Sequence, residues 1–190
     1  MPPAPFQALT TKSTGRAAKL ITPISVSQAF DPAKAPQPLP NRIETSALWD
    51  TGATGSVISA ELAKSIGLVP VGRVNVNHAG GASPSPTYLV NFTLPNQVTM
   101  TGNLVTEFPS LPGDFSVIVG MDVITFGDFA VTNVGGKTWM SFRMPSCVAI
   151  DYVAEAHRLE FAGVGRNDPC PCGKQDGAGK RIKFKRCHGV

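Results

Sequence analysis

Charge is scarce in this sequence: Asp, Glu, Lys and Arg together make up 16% of its 190 residues, against a hydrophobic share of 42%. That balance excludes a highly charged, disordered chain and fits a globular one. No uninterrupted apolar run approaches the ~18 residues that a membrane-spanning helix needs. The first residues also lack the basic start and apolar core of a secretory signal, so a cytosolic protein with no membrane partner is expected. Long stretches of helical periodicity are few, whereas 19 Gly and 17 Pro punctuate the chain. Helix should therefore be the minority. The length leaves room for one ordinary domain and a small appendage, not for two full cores.

What charge there is falls unevenly. Residues 1–162 carry ten Lys/Arg against eleven Asp/Glu, and residues 163–190 carry seven against two. The body is near neutral and the tail is strongly basic. Three of the four cysteines, Cys170, Cys172 and Cys187, lie in that tail. Clustering of this kind without a secretory signal points to metal before disulfide. Cys147 stands alone and reads as a small buried apolar residue.

Along the chain, residues 1–17 are rich in Pro, Ala and Thr without periodicity and read as a flexible leader. Leu20–Val26 and Ile43–Trp49 are β-rich and flank the proline-rich loop Asp31–Asn41. After Asp50-Thr51-Gly52-Ala53-Thr54, Ser59 caps AELAKSI, which Gly67 closes, the pattern of a short helix. Val69–Asn77 and Thr87–Leu94 form a long hairpin with the flexible tip Ala79-Gly80-Gly81-Ala82-Ser83. Val98–Thr106 adds a strand. Asp114–Val123 reads as a buried strand ending in a tight turn at Gly120. Phe129–Thr132 and Lys137–Arg143 pair around Gly135-Gly136, and Gly163–Gly165 marks a hinge. Trp49 is expected to pack beneath the aspartate loop, Phe126 and Phe129 in the core, and His78 in solvent.

Asp-Thr-Gly alone carries little information. Here it ends the apolar strand Ala47-Leu48-Trp49, continues as Ala53-Thr54 and Val57-Ile58, and is answered downstream by Val117-Ile118-Val119-Gly120, with a glycine-tipped hairpin between. From about Leu20 to Arg143 the chain resembles the retropepsin-like aspartic proteases. Hydrolysis in that manner needs two carboxylates that share one proton, so that one activates water while the other protonates the carbonyl oxygen. The chain has no second Asp-Thr-Gly or Asp-Ser-Gly, so the resemblance implies a homodimer with one Asp50 from each copy. It further implies that Thr51 locks the two loops together, that Gly52 lets the backbone approach substrate, and that Ala53 lines the first subsite. The hairpin from about Val74 to Leu89 would close over an extended peptide, with Ala79, Gly80 and Gly81 touching it. The form Gly120-Met121-Asp122 is similar to the cellular and bacterial branches, in which the strands beyond it build the dimer interface.

The tail from Gly165 to Gly189 resembles the SEC-C motif, the zinc element at the end of the SecA translocation ATPase. By that resemblance Cys170, Cys172, Cys187 and His188 hold a structural Zn2+ in a closed tetrahedral site, with Gln175–Gly179 as a bulged loop. Catalysis itself would need no cofactor. A ribbon this short should depend on the metal for its folding free energy. The basic residues Lys174, Lys180, Arg181, Lys183, Lys185 and Arg186 could meet a ribosome, nucleic acid or an acidic protein, so a recruiting role is implied.

The expected architecture is thus a mostly β, retropepsin-like half-barrel forming a homodimer, plus a small C-terminal zinc ribbon. The expected divisions are a leader at 1–17, a protease domain at 18–145, a linker able to be helical at 146–164 and the zinc motif at 165–190. The expected function is a homodimeric aspartic endopeptidase acting on polypeptide substrates. Two alternatives remain open: a catalytically silent dimeric peptide-binding adaptor with the same two modules, and a nucleic-acid-binding zinc protein on a dimeric scaffold.

Overall fold

The computed structural model describes residues 6–78, 81–110 and 113–188. It divides into two compact units, Met1–Cys147 and Val148–Val190.

The regular elements of the first unit are mostly strands. In chain order its elements are β1 (Gln7–Lys12), β2 (Ile21–Gln28), β3 (Arg42–Trp49), β4 (Val57–Ser59), α1 (Ala60–Ile66), β5 (Gly72–His78), β6 (Gly81–Thr93), β7 (Thr99–Phe108), β8 (Val117–Val119), α2 (Met121–Ile124), β9 (Asp128–Thr132) and β10 (Trp139–Met144). One seven-stranded sheet runs β2-β3-β8-β4-β7-β6-β5, and β2 pairs again with β6. That second pairing closes every strand except β5 into a six-stranded barrel, which removes most of the exposed sheet edge. β5 projects as the outer strand of a hairpin with β6, in register from Gly72↔Thr87 to His78↔Gly81.

The barrel interior is filled by β-branched and aromatic side chains: Val26, Ile58, Val90, Phe92, Val105, Val117 and Val119 are fully buried. α1 forms where the cap chemistry directs it. Ser59 Oγ accepts the Leu62 N–H, and Gly67, at φ 79°, ends the helix with its N–H on the Ala63 and Lys64 carbonyls. Leu62, Ala63 and Ile66 are the residues it buries.

A second, three-stranded sheet has the order β1-β10-β9. Leu9, Met140 and Phe142 are its buried side chains. Here the structure corrects the reading of residues 1–17 as a flexible leader: Gln7–Lys12 pairs antiparallel with β10 from Gln7↔Met144 to Lys12↔Trp139. The strand is held by that edge, by a 2.8 Å bond between Thr10 Oγ1 and Ser141 Oγ, and by Lys12 Nζ lying 4.0 Å from the Trp139 ring centre. None of these partners is visible in the composition of the segment. Asp114–Val123 is also shorter as a strand than its apolar run suggests, since only Val117–Val119 is β and the chain turns at Gly120 into α2.

Two single-residue expectations fail. Cys147 is exposed, its thiol donating to the Pro145 carbonyl, because it lies beyond the last strand where no packed layer covers it. Phe126, expected in the core, is 57% exposed at the end of the α2 turn, whereas Phe129 packs 5.6 Å from Trp49.

The second unit contains α3 (Tyr152–Glu160), capped by the Asp151 carboxylate on the Ala154 N–H, followed by a ribbon with two antiparallel bridges, Pro169↔Lys183 and Gln175↔Arg181. The segment read as a linker at 146–164 therefore contributes its helix to this unit. Among the described residues, no helix is long and apolar enough to cross a membrane.

Candidate active site and metal centre

The aspartate loop owes its shape to one topological fact. β8 lies between β3 and β4, parallel to the first and antiparallel to the second. The chain leaves β3 at Trp49, passes over the end of β8 as residues 50–56, and returns as β4 on the other side. The turn that leaves β8 at Gly120 consequently sits inside that loop.

Main-chain bonds knit the two segments together: Asp50 N–H to Val119 O at 3.0 Å, Met121 N–H to Ala53 O at 2.8 Å, and Asp122 N–H to Thr54 O at 3.2 Å. The packing is tight enough to demand glycine. A Cβ at position 120 would stand 2.7 Å from the carbonyl carbon and oxygen of Gly55. Within the loop, Asp50 Oδ1 accepts the Gly52 N–H at 2.8 Å, so the carboxylate is oriented by its own turn. Asp50 is half-buried, Thr51 and Gly52 are exposed, and Ala53 is intermediate.

Beneath the loop, Trp49 is 4% exposed, and its indole N–H donates to Thr22 Oγ1 at 2.9 Å. Its ring stacks on Phe129 and meets Phe142 at 5.0 Å, which ties the small sheet to the floor of the loop.

Asp50, Thr51, Gly52 and Ala53 thus lie together on one surface loop. Gly81 begins β6 in the hairpin, while Ala79 and Gly80 lie outside the described residues. The sequence reading missed the partner of this loop, Asp122. Its two carboxylate oxygens accept the Ser56 N–H at 2.9 Å and the Ser56 hydroxyl at 2.8 Å. The only signal was its place two residues after Gly120.

In the second unit, the ligand atoms of Cys170, Cys172, Cys187 and His188 all lie within 4.8 Å of one another. Local turns bring them there. Gly173, at φ 77°, closes the Cys-Pro-Cys-Gly turn on the Cys170 carbonyl, Cys170 N–H donates to Ile182 O, and the N–H groups of Cys187 and His188 both reach Phe184 O. Neighbouring ligand atoms stand 3.1 to 3.5 Å apart. A tetrahedral zinc with Zn–S of ~2.3 Å would set its sulfurs ~3.8 Å apart, so a small expansion of the cluster admits one ion. Three sulfurs and one imidazole are the donor set of a closed structural zinc site.

The thiols are already differentiated. Desolvation, then the neighbouring Cys172 and Cys170 sulfurs, push Cys187 up to about 11, whereas the Lys174 backbone N–H, followed by the Cys170 side chain, draws Cys172 down.

Two further residues of this unit were not anticipated as part of the centre. The Phe161 ring stacks on His188 at 5.0 Å, and His157, one helical turn earlier, meets Phe161 at 4.7 Å. Their i, i+4 spacing was the available signal. Lys180, Arg181, Lys183, Lys185 and Arg186 border a basic depression on the ribbon, with Asp176 and Ile182.

Comparison with known proteins gives each segment a separate likeness. Residues 41–123 match the Aspartyl protease family, a span that includes the whole Asp50 loop and the Gly120 turn. A segment of 30 residues is 70% identical to the protein translocase subunit SecA of a Nocardioides species, covering 16% of this chain and 3% of that protein. Among solved structures, a retropepsin-like aspartic protease from Rickettsia conorii aligns over 73% of this chain and 95% of its own, with 10% identity and a TM-score of 0.46. The EIAV protease complexed with the inhibitor HBY-793 aligns over 56% and 85%, with 16% identity and a TM-score of 0.40.

Proposed function

We propose, taking the match of residues 41–123 to the aspartyl proteases as premise, that this chain is a homodimeric aspartic endopeptidase with one Asp50 from each copy forming the catalytic pair. The observation that carries the reading is the Asp50 loop itself: an aspartate at the end of a barrel strand, its Oδ1 held by the Gly52 N–H and its backbone bonded across to β8.

In the dimer the two carboxylates share one proton, because two like charges at such a distance cannot both be ionised without cost. The ionised member takes a proton from water as the oxygen attacks the peptide carbonyl carbon. The protonated member gives its proton to the carbonyl oxygen. Collapse of the tetrahedral intermediate then breaks the C–N bond: the carboxyl that took the water's proton gives it to the leaving amine, and the other carboxylate takes a proton back from the diol, which restores the shared-proton pair. Thr51 holds the two loops to each other, Gly52 lets the backbone approach the substrate, Ala53 lines the first subsite, and the β5–β6 hairpin closes over an extended peptide. The first unit, with β1 included, forms the protease domain. Its β9 and β10, with β1, supply the surface on which the copies meet.

Cys170, Cys172, Cys187 and His188 would hold Zn2+ in a structural role, and the metal would supply folding free energy to the second unit rather than chemistry to the first. That unit recruits polypeptide substrates or a partner such as a ribosome, a nucleic acid or an acidic protein through its basic face, in the cytoplasm.

The test is cleavage of a peptide library from mildly acidic to neutral pH by the zinc-loaded protein and by Asp50→Asn, with sedimentation reporting the dimer in both. Cleavage by the parent alone, with both proteins dimeric, is the expected result. A folded parental dimer that cleaves nothing would overturn the hydrolase and leave a peptide-binding adaptor.

A further inference from the structure

We infer that Ser56 and Asp122 act as one positioning clamp for Asp50, an inference that deepens the proposed hydrolytic reading and rests on it. The loop that carries Asp50 is fastened to β8 and the Gly120 turn along its length. From its start to its middle the fastening is main chain alone, through Asp50 N–H to Val119 O, Met121 N–H to Ala53 O and Asp122 N–H to Thr54 O. At its finish it is made by side chains. Ser56 is 1% exposed, and its N–H and hydroxyl both donate to the Asp122 carboxylate. The same hydroxyl oxygen accepts the Gly120 N–H at 3.1 Å. One serine and one carboxylate thereby satisfy two main-chain N–H groups, Ser56 and Gly120, that have little water to turn to.

The chemistry of the pair is specific. A hydroxyl can donate to a carboxylate while accepting from an amide, which an alanine at 56 could not do. A carboxylate presents two acceptors side by side and matches the two donors of Ser56. Loss of either member leaves a buried N–H without its acceptor and lets the loop finish drift relative to β8. Asp50 lies on the same short loop, so such drift reaches the catalytic pair. Neither residue touches the reacting atoms; they act through the placement of Asp50.

The consequence should fall on turnover more than on binding, because a misplaced carboxylate weakens the chemical step while the subsites still hold the peptide. The experiment compares the full-length zinc-loaded protein with Ser56→Ala, Asp122→Ala, the double variant and Asp122→Asn. It records kcat and KM on one cleaved peptide, and amide hydrogen exchange across residues 50–56 by mass spectrometry. Each alanine variant is expected to lose about 10- to 100-fold in kcat with KM within about twofold, and to exchange faster in that segment. The double variant should lose no more than either single one, since the members work as a unit. Asp122→Asn retains an oxygen for the Ser56 N–H and an amide that can donate to the Ser56 oxygen, so it should recover most of both readouts.

Parental kcat in the alanine variants would overturn the inference, as would unchanged exchange or multiplicative losses in the double variant. Should the parent cleave nothing, the hydrolase reading fails by itself. The exchange data then still decide whether the clamp holds the loop, faster exchange supporting it and unchanged exchange refuting it.

Discussion

Replacing Gly120 by alanine isolates the close approach on which the aspartate loop depends. The residue has extended backbone angles, φ −92° and ψ −173°, which alanine adopts without strain, so any cost is steric. The added Cβ would meet Gly55 C and O at 2.7 Å and Ala53 O at 2.9 Å, all main-chain atoms that cannot rotate away. Ordinary carbon contacts begin near ~3.5 Å, so the two segments must separate by several tenths of an ångström. Overpacking of this kind costs about 1–3 kcal/mol. The strained Met121-to-Ala53 hydrogen bond, 2.8 Å in the parent, adds about 1 kcal/mol. The expected loss is about 2–4 kcal/mol, which with a urea dependence of ~2 kcal/mol per molar lowers the unfolding midpoint by roughly 1–2 M. Urea titration followed by tryptophan fluorescence reads it, since Trp49 sits directly before the loop. Gly55→Ala is the internal control: it faces the same contact, but a Cβ there meets nothing within 4 Å. A Gly120→Ala midpoint within ~0.3 M of the parent, or an equal fall in Gly55→Ala, would refute the reasoning.

Three other outcomes follow from features already described. Trp49→Phe keeps an aromatic ring but removes the indole N–H from buried Thr22, and should cost about 1–3 kcal/mol in a urea titration followed by circular dichroism. The Ser146 hydroxyl first, then the Cys147 N–H and Arg143, hold the Asp128 carboxyl well below the usual range. A depressed carboxyl contributes stability that is present above its unfolded pKa of ~3.9 and is lost as pH falls toward the folded value. The parent should therefore lose stability below about pH 4 more steeply than Asp128→Asn, which starts lower at neutral pH; parallel acid-unfolding curves would contradict this. A strong zinc chelator should open the second unit to trypsin at Lys180–Arg186 while fragments of residues 1–147 persist, and Phe161→Ala should require less chelator; identical digestion with and without chelator would sink the metal's structural role.

What the sequence revealed and what it concealed divide along a physical line. The α1 cap at Ser59, its glycine stop, the hairpins and the turn at Gly120 are set by neighbours in the chain, and their residue types announce them. The four clustered ligands are legible for the same reason, because turns with fixed glycine positions gather them. Ser56 and Asp122 stand 66 positions apart and carry side chains that suit any surface loop, so only the crossing of the two segments reveals them as partners. The pairing of Gln7–Lys12 with β10 is likewise a property of the edge it finds, not of its own composition. Exposure of Phe126 and Cys147 depends on what covers the end of a short turn and the residues after a last strand, which hydrophobicity alone does not report.

The placement of β8 between β3 and β4 also imposes an order of assembly as the chain is synthesised. Ala47–Trp49 leaves the ribosome early, yet its parallel neighbour Val117–Val119 is made only after the whole hairpin has emerged. Until then the aspartate loop has nothing to wrap around, and Leu9 still waits for Phe142. Pairings between such distant stretches form late, because the intervening chain must first surrender its freedom. On this scheme a nascent or truncated chain carries Asp50 without the means to hold it in place, and the loop geometry proposed for catalysis becomes available only to a barrel that has been completed.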